Sequence, residues 1–141
     1  MRLFLTAFCF CFTLSCASNK ANEISFDHKA VLKEMKVEKL SGGSGPEAEM
    51  GDRLEVKYVG KLENGKVFDS SEKRGHDFSF RLGKREVIPA WDAGLVGMRK
   101  GGKRKLTVPP HLAYGARGIR GVIPPNSILI YEVELVRINQ D

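Results

Sequence analysis

The sequence predicts an α+β domain in which an antiparallel sheet of five or six strands wraps around one short helix. Only the segment Glu86 to Met98 carries apolar residues at helical spacing, and these are Ile88, Trp91, Leu95 and Met98. Pro89 suits the first helical position because its fixed φ matches and it has no N–H to leave unpaired. The neighbouring segments alternate between apolar and polar residues or carry turn residues, which is typical of half-buried strands. A sheet packed on a single helix accommodates both observations.

The first residues predict a signal peptide rather than part of the fold. Residues 1–17 begin with a positive charge at Arg2, continue with a short apolar run and end in small residues at Ala17. The run is too short to span a bilayer. The 3 cysteines of the chain all lie here, so cleavage after Ala17 leaves no thiol for a disulfide or for catalysis. We therefore expect the endoplasmic reticulum lumen, secretion or a bacterial periplasm.

An alternative interpretation makes Cys16 the lipid-carrying first residue of a bacterial lipoprotein. Thr13 stands where that motif usually has Leu, so the pattern is incomplete. Lipidation of Cys16 would anchor the protein in an envelope, and we expect membrane association only in that case.

A polar leader is predicted over residues 18–30, and a single domain over residues 31–139. The leader has no sustained periodicity, as in segments without regular structure. Val31, Met35 and Val37 fit a partly alternating first strand that ends near Leu40. Residues 41–46, rich in Ser and Gly, predict a loop.

Three strands are predicted between residue 53 and the helix. Leu54, Val56 and Tyr58 fall on one face of the first, with charged residues between them. Asn64–Gly65 predicts a type I′ hairpin turn, in which both central residues need φ > 0, and the return strand covers residues 67–69. After a polar stretch, residues 78–83 alternate again.

After the helix, a basic turn over residues 99–103 leads to a strand over residues 104–108, which ends at Pro109. A long irregular loop follows through residues 112–125. The longest strand is predicted over residues 128–138 and completes the sheet.

Composition and motifs exclude several function classes. The net charge is +6, but Lys103 and Lys105 alternate with strand residues, which places them on a solvent face, and a secreted domain rarely meets nucleic acid. We therefore expect no nucleic-acid partner. The sequence has no phosphate-binding glycine loop, no Gly-x-Ser-x-Gly, no His-Glu-x-x-His and no cysteine cluster. We expect no metal, no cofactor and no covalent nucleophile.

Aromatic and branched apolar residues at strand ends and in loops are the candidates for a site. Most of them could be ordinary core residues. Tyr114, however, lies in a Gly-flanked turn, and Val122 and Ile123 lie in an apolar loop, where burial is not the default. Trp91, the 1 tryptophan of the chain, would form the floor of a cavity at the start of the helix.

Five runs of sequence carry a specific resemblance. They are Val-Lys-Tyr-Val-Gly-Lys-Leu at 56–62, Asn-Gly-Lys-Val-Phe-Asp-Ser-Ser at 64–71, Glu-Val-Ile-Pro-Ala-Trp at 86–91, Ala-Tyr-Gly at 113–115 and Ile-Pro-Pro-Asn-Ser at 123–127. In order and spacing, they are similar to the signature runs of the FK506-binding-protein (FKBP) family of peptidyl-prolyl cis/trans isomerases. The resemblance covers about residues 31–138.

The resemblance implies a half-barrel sheet over the helix and a pocket for the proline ring of a substrate. It implies that proline-containing polypeptides and macrolides such as FK506 and rapamycin are the partners of a protein that we expect to be a monomer. The residues carried over by position are Tyr58, Phe68, Asp69, Arg74, Phe78, Glu86, Val87, Ile88, Trp91, Tyr114, Ile123 and Tyr131, with Ile119 and Val122 on the rim.

Three positions depart from the family pattern. Ile119 stands where relatives often have His, Asp77 where a Pro precedes the second aromatic residue, and Tyr131 where Phe is common. The first two bear on the sequence preference. The hydroxyl of Tyr131 needs a partner or water in the pocket wall.

Isomerisation of an X-Pro bond suits a site without acids or nucleophiles. The barrier is the loss of C–N double-bond character, and the twisted amide has less charge separation than the planar one, so an apolar pocket favours it. Tyr114 O–H and Ile88 N–H would hold the substrate backbone. Asp69 would orient a pocket tyrosine or pair with Arg74. The alternative is a binding module that captures proline-containing segments without turnover.

Overall fold

The computed structural model describes residues 27–139. The strands are β1 Lys36–Ser41, β2 Ser44–Glu47, β3 Arg53–Leu62, β4 Val67–Ser70, β5 Phe78–Arg81, β6 Arg99–Lys100, β7 Lys103–Val108 and β8 Leu129–Asn139. The helices are α1 His28–Glu34, α2 Ser71–Arg74 and α3 Pro89–Gly94, with a 3-10 turn at Pro110–Leu112. None of these helices is long and apolar enough to cross a membrane.

One antiparallel sheet of 6 strands organises the fold and confirms the predicted fold class. Its strands lie in the order β1-β7-β8-β3-β4, with β5 also paired to β3, and a separate pair joins β2 to β6. The long strands β3 and β8 pair from Arg53 opposite Asn139 to Leu62 opposite Leu129. Alternate residues of both strands are buried against α3 as the period of two requires, and α3 fills the concave side of the sheet.

On the outer face of the sheet, positive and negative side chains of neighbouring strands form ion pairs. Side-chain nitrogen–oxygen distances are 3.3 Å for Lys103–Glu134, 3.2 Å for Lys61–Glu132 and 3.6 Å for Arg137–Glu55. Opposite charges on neighbouring strands stabilise a sheet modestly. On this face, cations therefore alternate with carboxylates.

The N-terminal boundary differs from the prediction, because α1 replaces the start of the expected first strand and the end of the expected leader. Asp27 caps this helix, since its Oδ1 accepts the N–H groups of Lys29 and Ala30 at 3.0 and 3.3 Å. Val31 and Met35 lie one turn apart and both enter the core. A spacing of four residues fits a helix and a strand equally, which explains the error. The signal peptide predicted over residues 1–17, Cys16 within it, and leader residues 18–26 lie outside the described residues.

The hairpin between β3 and β4 is present, but its predicted turn type is wrong. Gly65 has φ 86°, whereas Asn64 does not have a positive φ. The Gly65 N–H donates to the carbonyl of Leu62 at 2.9 Å, which makes a type I turn followed by a left-handed glycine. An Asn-Gly pair occurs both in this three-residue hairpin loop and in the two-residue type I′ loop that was predicted.

Three connections are more regular than predicted. Part of the loop expected over residues 41–46 forms β2, which pairs with β6 in the basic turn at residues 99–100. The polar stretch before β5 contains α2, which begins at a Ser70 cap and ends at Gly75 with φ 81°. Short polar segments of this kind carry too little periodicity to reveal one turn of helix.

The central helix is shorter than predicted. It covers Pro89–Gly94 rather than residues 86–98, and Met98 is buried from a turn beyond it. Arg104 of β7 binds the C-terminal end of the helix, because its Nη1 donates to the carbonyl of Gly94, the last helical residue, and to that of Val96 just beyond it, at 2.7 Å each. A cation at this end satisfies unpaired carbonyls and complements the helix dipole.

The corrected N-terminus makes a testable prediction. Val31→Ala removes two buried methyl groups and leaves a cavity against the core, so we expect it to lower the free energy of unfolding by about 1.5–3 kcal/mol. The neighbouring Leu32 is exposed, and Leu32→Ala is the matched control with an expected change within about 0.5 kcal/mol. Denaturant unfolding measures both variants. Equal losses would contradict the assignment of Val31 to the core.

Candidate functional site

A cavity of about 610 Å³ opens above α3. Its lining residues come from β3, β4, α2, β5, the segment before α3, α3 itself, the loop after β7 and β8. They are Tyr58, Phe68, Asp69, Arg74, Phe78, Arg85, Glu86, Val87, Ile88, Trp91, Tyr114, Ile119, Val122 and Tyr131. The structure thus brings together every residue predicted for the site except Ile123, and it adds Arg85. The size is typical of a small-molecule pocket.

Trp91 forms the floor of the cavity and stands among perpendicular aromatic rings. Its centroid lies 5.1 Å from that of Tyr58, 5.3 Å from Tyr131 and 5.9 Å from Phe78, with interplanar angles of 77°, 85° and 78°. Edge-to-face pairs of this kind stabilise one another beyond their burial. The indole is 4% exposed, and its Nε1 has no hydrogen-bond partner among residues 27–139.

Gly60 of β3 lets two of the pocket rings come together. Phe68 and Tyr131 meet edge to face at a centroid distance of 5.7 Å and an angle of 86°. A Cβ at Gly60 would lie 2.6 Å from Cζ of Phe68 and 2.9 Å from Cε1 of Tyr131. Contacts that short would displace one ring or both. The rings keep their position because residue 60 has no side chain.

The polar wall of the cavity is a chain of three side chains centred on Asp69. The Tyr58 hydroxyl donates to Asp69 Oδ2 at 2.8 Å. Arg74, at the end of α2, donates from Nε to Oδ1 at 3.1 Å and from Nη2 to Oδ2 at 2.6 Å. This bidentate geometry is strong and specific. Asp69 therefore fills both roles that the sequence left open, as the orienter of a tyrosine and as the partner of Arg74.

The pKa values of the wall follow from these contacts. The hydrogen bonds from Arg74 hold the pKa of Asp69 below its ordinary value, although partial burial opposes them. Burial raises the pKa of Tyr58, and its hydrogen bond to Asp69 raises it further. Near neutral pH, Asp69 is thus a charged acceptor and Tyr58 a neutral donor whose proton is already in use. The Tyr58 ring is left as an apolar surface for a ligand.

Two donors remain available to a ligand in the cavity. The N–H of Ile88, just before α3, has no acceptor among residues 27–139, since Pro89 begins the helix and later amides bond within it. Tyr114 is 37% exposed and lies on the loop after the 3-10 turn. That loop is fixed by Gly115, whose N–H donates to Pro110 at 2.7 Å and whose carbonyl accepts from Asn126 at 2.9 Å.

Tyr131 is buried in the wall of the cavity, and its pKa responds to that burial. Burial raises the pKa of Tyr131, and the charge and hydrogen bond of the neighbouring Tyr114 hydroxyl raise it further. Tyr131 therefore stays protonated at neutral pH. Its extra hydroxyl, a departure from the common Phe, is accommodated beside Tyr114 rather than in the apolar part of the wall.

Ile123 is a correction, because it is 2% exposed and does not line the cavity. Its N–H and carbonyl exchange hydrogen bonds with Ile119, each at 2.8 Å. This bridge anchors the loop to the core and presents Ile119 and Val122 at the rim, where both are exposed. A branched apolar residue in a loop gives no sequence signal that separates an anchor from a contact residue.

Arg85 lines the cavity, although the sequence did not indicate it. Its φ is 57°, a left-handed conformation that non-glycine residues seldom adopt. Arginine is not a turn-forming residue, so only its position before the predicted run 86–91 was a signal. Among residues 27–139, no three His, Cys, Asp or Glu side chains converge as metal ligands.

Known proteins are similar to this chain in sequence and in fold. Residues 45–136 match the family described as FKBP-type peptidyl-prolyl cis-trans isomerase. FK506-binding protein 2 of Yarrowia lipolytica is 57% identical over 94 residues, which make up 67% of this chain and 65% of that protein. FK506-binding protein 4 of Neurospora crassa is 53% identical over 108 residues, which make up 77% of this chain but only 23% of that protein.

A solved structure shares the fold. The crystal structure of AtFKBP13 superposes with a TM-score of 0.72 at 43% sequence identity, and the match covers 77% of this chain and 96% of that one. The family match spans every strand and loop that contributes to the cavity, with Tyr58, Trp91 and Tyr131 inside it. The chain belongs to the FKBP-type peptidyl-prolyl cis-trans isomerase family.

Proposed function

We propose that this chain catalyses the cis/trans isomerisation of X-Pro bonds in polypeptides and that residues lining the cavity above α3 carry the reaction. The observation that supports the proposal best is the cage of perpendicular aromatic rings around Trp91 in a chain of this family. A proline ring is compact and apolar, and it fits a floor of indole with aromatic walls.

The cavity favours the twisted transition state because its aromatic lining is apolar and excludes water. The planar amide has charge separation that water stabilises, whereas the twisted amide has lost most of it. Transfer into an apolar, water-excluding cage therefore costs the ground state more than the twisted state. The charged group nearest the cage, Asp69, is already paired with Arg74 and Tyr58. It does not confront the substrate with an unbalanced charge.

The two donors complete the mechanism. The Ile88 N–H would donate to a carbonyl of the substrate, and the Tyr114 hydroxyl would donate to a second one across the cavity. Two fixed points hold the chain on either side of the bond that rotates, so rotation occurs in an oriented substrate. No proton transfer and no covalent intermediate is needed.

The same cavity would bind macrolides of the FK506 and rapamycin type, whose proline-like ring would stack on Trp91. The names of the relatives describe them as FK506-binding proteins. A non-catalytic binding module is the second candidate, and the exposed apolar rim of Ile119 and Val122 favours it. Turnover distinguishes the two.

The proposed setting is the folding of secretory or envelope proteins, in which slow X-Pro isomerisation limits the rate. The support is the apolar run within residues 1–17. The mass of the mature N-terminus tests it, because cleavage after Ala17 and lipidation at Cys16 give different masses.

The decisive experiment follows the isomerisation of short X-Pro peptides by a direct spectroscopic assay. A catalysed rate that is linear in protein concentration and inhibited by FK506 supports the enzyme, whereas FK506 binding without turnover supports the binding module. Because Trp91 is the 1 tryptophan, its emission reports occupancy of the cavity. We expect peptides with Leu or Phe before proline to have a higher kcat/KM than peptides with Glu or Lys there. The difference should correspond to about 1–2 kcal/mol of transition-state free energy, through contact with Ile119.

A pair of substitutions separates the hydrogen bond from the apolar wall. Tyr114→Phe removes one donor and should cost about 0.5–1.5 kcal/mol in kcat/KM while leaving the fold intact. Phe68→Ala opens the wall and should cost about 3–5 kcal/mol, divided between stability and activity. Measurement of kcat/KM together with thermal unfolding assigns each loss. A larger effect of Tyr114→Phe would mean that its hydroxyl, and not the apolar wall, dominates catalysis.

Gly60→Ala tests the packing of the pocket rings. The added methyl group should displace Phe68 or Tyr131, lower stability by about 1–3 kcal/mol and weaken FK506 binding. Gly42→Ala is the matched control, because its Cβ meets only the Lys39 side chain, at 3.5 Å or more. Titration of FK506 against Trp91 emission compares the two variants, and equal affinities would show that the rings tolerate the methyl group.

A further inference from the structure

Asp92 is a buried carboxylate that does not line the cavity. It follows Trp91 in the first turn of α3 and is 1% exposed. A buried carboxylate is rare unless it has partners that replace water. Asp92 is not among the site residues predicted from the sequence, and the proposed mechanism does not use it.

The partners of Asp92 are two backbone amides of the segment before α3. Its Oδ1 accepts the N–H of Gly83 at 2.8 Å, and its Oδ2 accepts the N–H of Arg85 at 3.1 Å. Both residues have a positive φ, 76° at Gly83 and 57° at Arg85. Arg85 in this conformation is strained, and strain of this kind persists only where surrounding contacts determine the backbone. The carboxylate supplies such a contact.

The segment held in this way continues directly into the pocket wall. Residues 85–88 all line the cavity, and this stretch carries the free N–H of Ile88. The Glu86 side chain gives a second tie, because its Oε2 accepts the N–H of Arg81 at 2.9 Å. Asp92 thus lies on the same helix as Trp91 and is hydrogen-bonded to the segment that leads into residues 85–88 of the wall. It sets the distance between the floor and the donor wall of the site.

We infer that Asp92 is a positioning residue for the isomerase site, and that the pocket binds its ligands fully only while Asp92 is ionised. This inference rests on the proposed function, in which the cavity is the isomerase site. Protonation would turn one acceptor oxygen into an O–H donor that faces an N–H. One of the two ties would then be lost, and the segment carrying Val87 and Ile88 would be released.

Burial and hydrogen bonding act on the ionisation of Asp92 in opposite directions. Burial raises the pKa of Asp92, while the amides of Gly83 and Arg85 lower it. Two titratable side chains also act on the Asp92 carboxyl: His28 of α1 lowers its pKa, and Glu86 raises it. The net shift is upward, so Asp92 binds a proton at a higher pH than an ordinary aspartate.

The sign of the linkage separates loss of binding from loss of fold. A carboxylate whose pKa is raised by folding binds protons more readily in the folded chain, so acidification through this pKa does not unfold the protein through Asp92. Ligand affinity should fall over the same range. The pKa of Asp69 is lowered in the folded chain, so protonation of Asp69 destabilises the fold. That effect occurs at lower pH, below the ordinary aspartate pKa of about 3.9.

The experiment measures the FK506 dissociation constant from Trp91 emission at pH values from 4 to 8 for wild type, Asp92→Asn and Asp52→Asn. We expect wild-type affinity to weaken on acidification while circular dichroism stays native. Asp92→Asn presents an N–H₂ to one amide, so at pH 7 it should bind about tenfold more weakly and lose the acid dependence. Asp52, a half-buried carboxylate outside the cavity that accepts one backbone N–H at 2.9 Å, is the matched control. Its variant should keep the wild-type profile.

Native-like Asp92→Asn protein with wild-type affinity and pH profile would overturn the inference. If that variant does not fold, the wild-type protein alone provides the test. The NMR signals of the Gly83 and Arg85 amides should change with pH at the same midpoint as the FK506 affinity. An affinity that stays constant through that midpoint would overturn the inference. Wild-type turnover of an X-Pro peptide at pH 7 is measured in parallel. Its absence would reject the proposed function, whereas the comparison of variants tests Asp92.

Discussion

The structure depends on how a helix of 6 residues is held at both ends. A helix this short has no stability of its own, because nucleation costs more than its few hydrogen bonds return. The sheet buries it on the concave side, and two charged side chains secure it. Arg104 binds the carbonyls at its C-terminal end, and Asp92 binds the amides of the segment that enters it. The position of Trp91 follows from these two anchors.

The aromatic residues of the cavity are also part of the core. Tyr58, Trp91 and Tyr131 are buried members of the main hydrophobic cluster, and Phe68 and Phe78 pack against it. The pocket is therefore a part of the core that stays open to solvent rather than a separate cleft between domains. Stability and binding are coupled for this reason, and substitutions such as Phe68→Ala affect both.

The sequence predicted the elements that depend on periodicity and the site residues that lie in family-like runs. Alternation located β3, β5, β7 and β8. Position within the family resemblance named the residues that line the cavity apart from Arg85, both inside the five runs and outside them, as at Arg74, Phe78 and Tyr131. Ile123 lies inside a run but is buried and is not among the lining residues. Local ambiguity explains the errors. Val31 and Met35 fit two periods, and Asn64–Gly65 fits two turn types. Arg85 and Asp92 could not be found from sequence, because their roles come from a left-handed backbone and from long-range hydrogen bonds to it.

The bridge between Ile119 and Ile123 has a consequence for the mouth of the cavity. Gly118 and Ile123 tolerate little change. A Cβ at residue 118 would lie 2.2 Å from the carbonyl oxygen of Ile123, and the Ile123 side chain is buried. Ile119 and Val122 project from the same loop with their side chains exposed. Exposed side chains away from packed contacts change stability little when they are replaced. Substitutions at these two positions can therefore change the surface at the mouth of the cavity while the backbone that presents them stays fixed, and they cost little in folding stability.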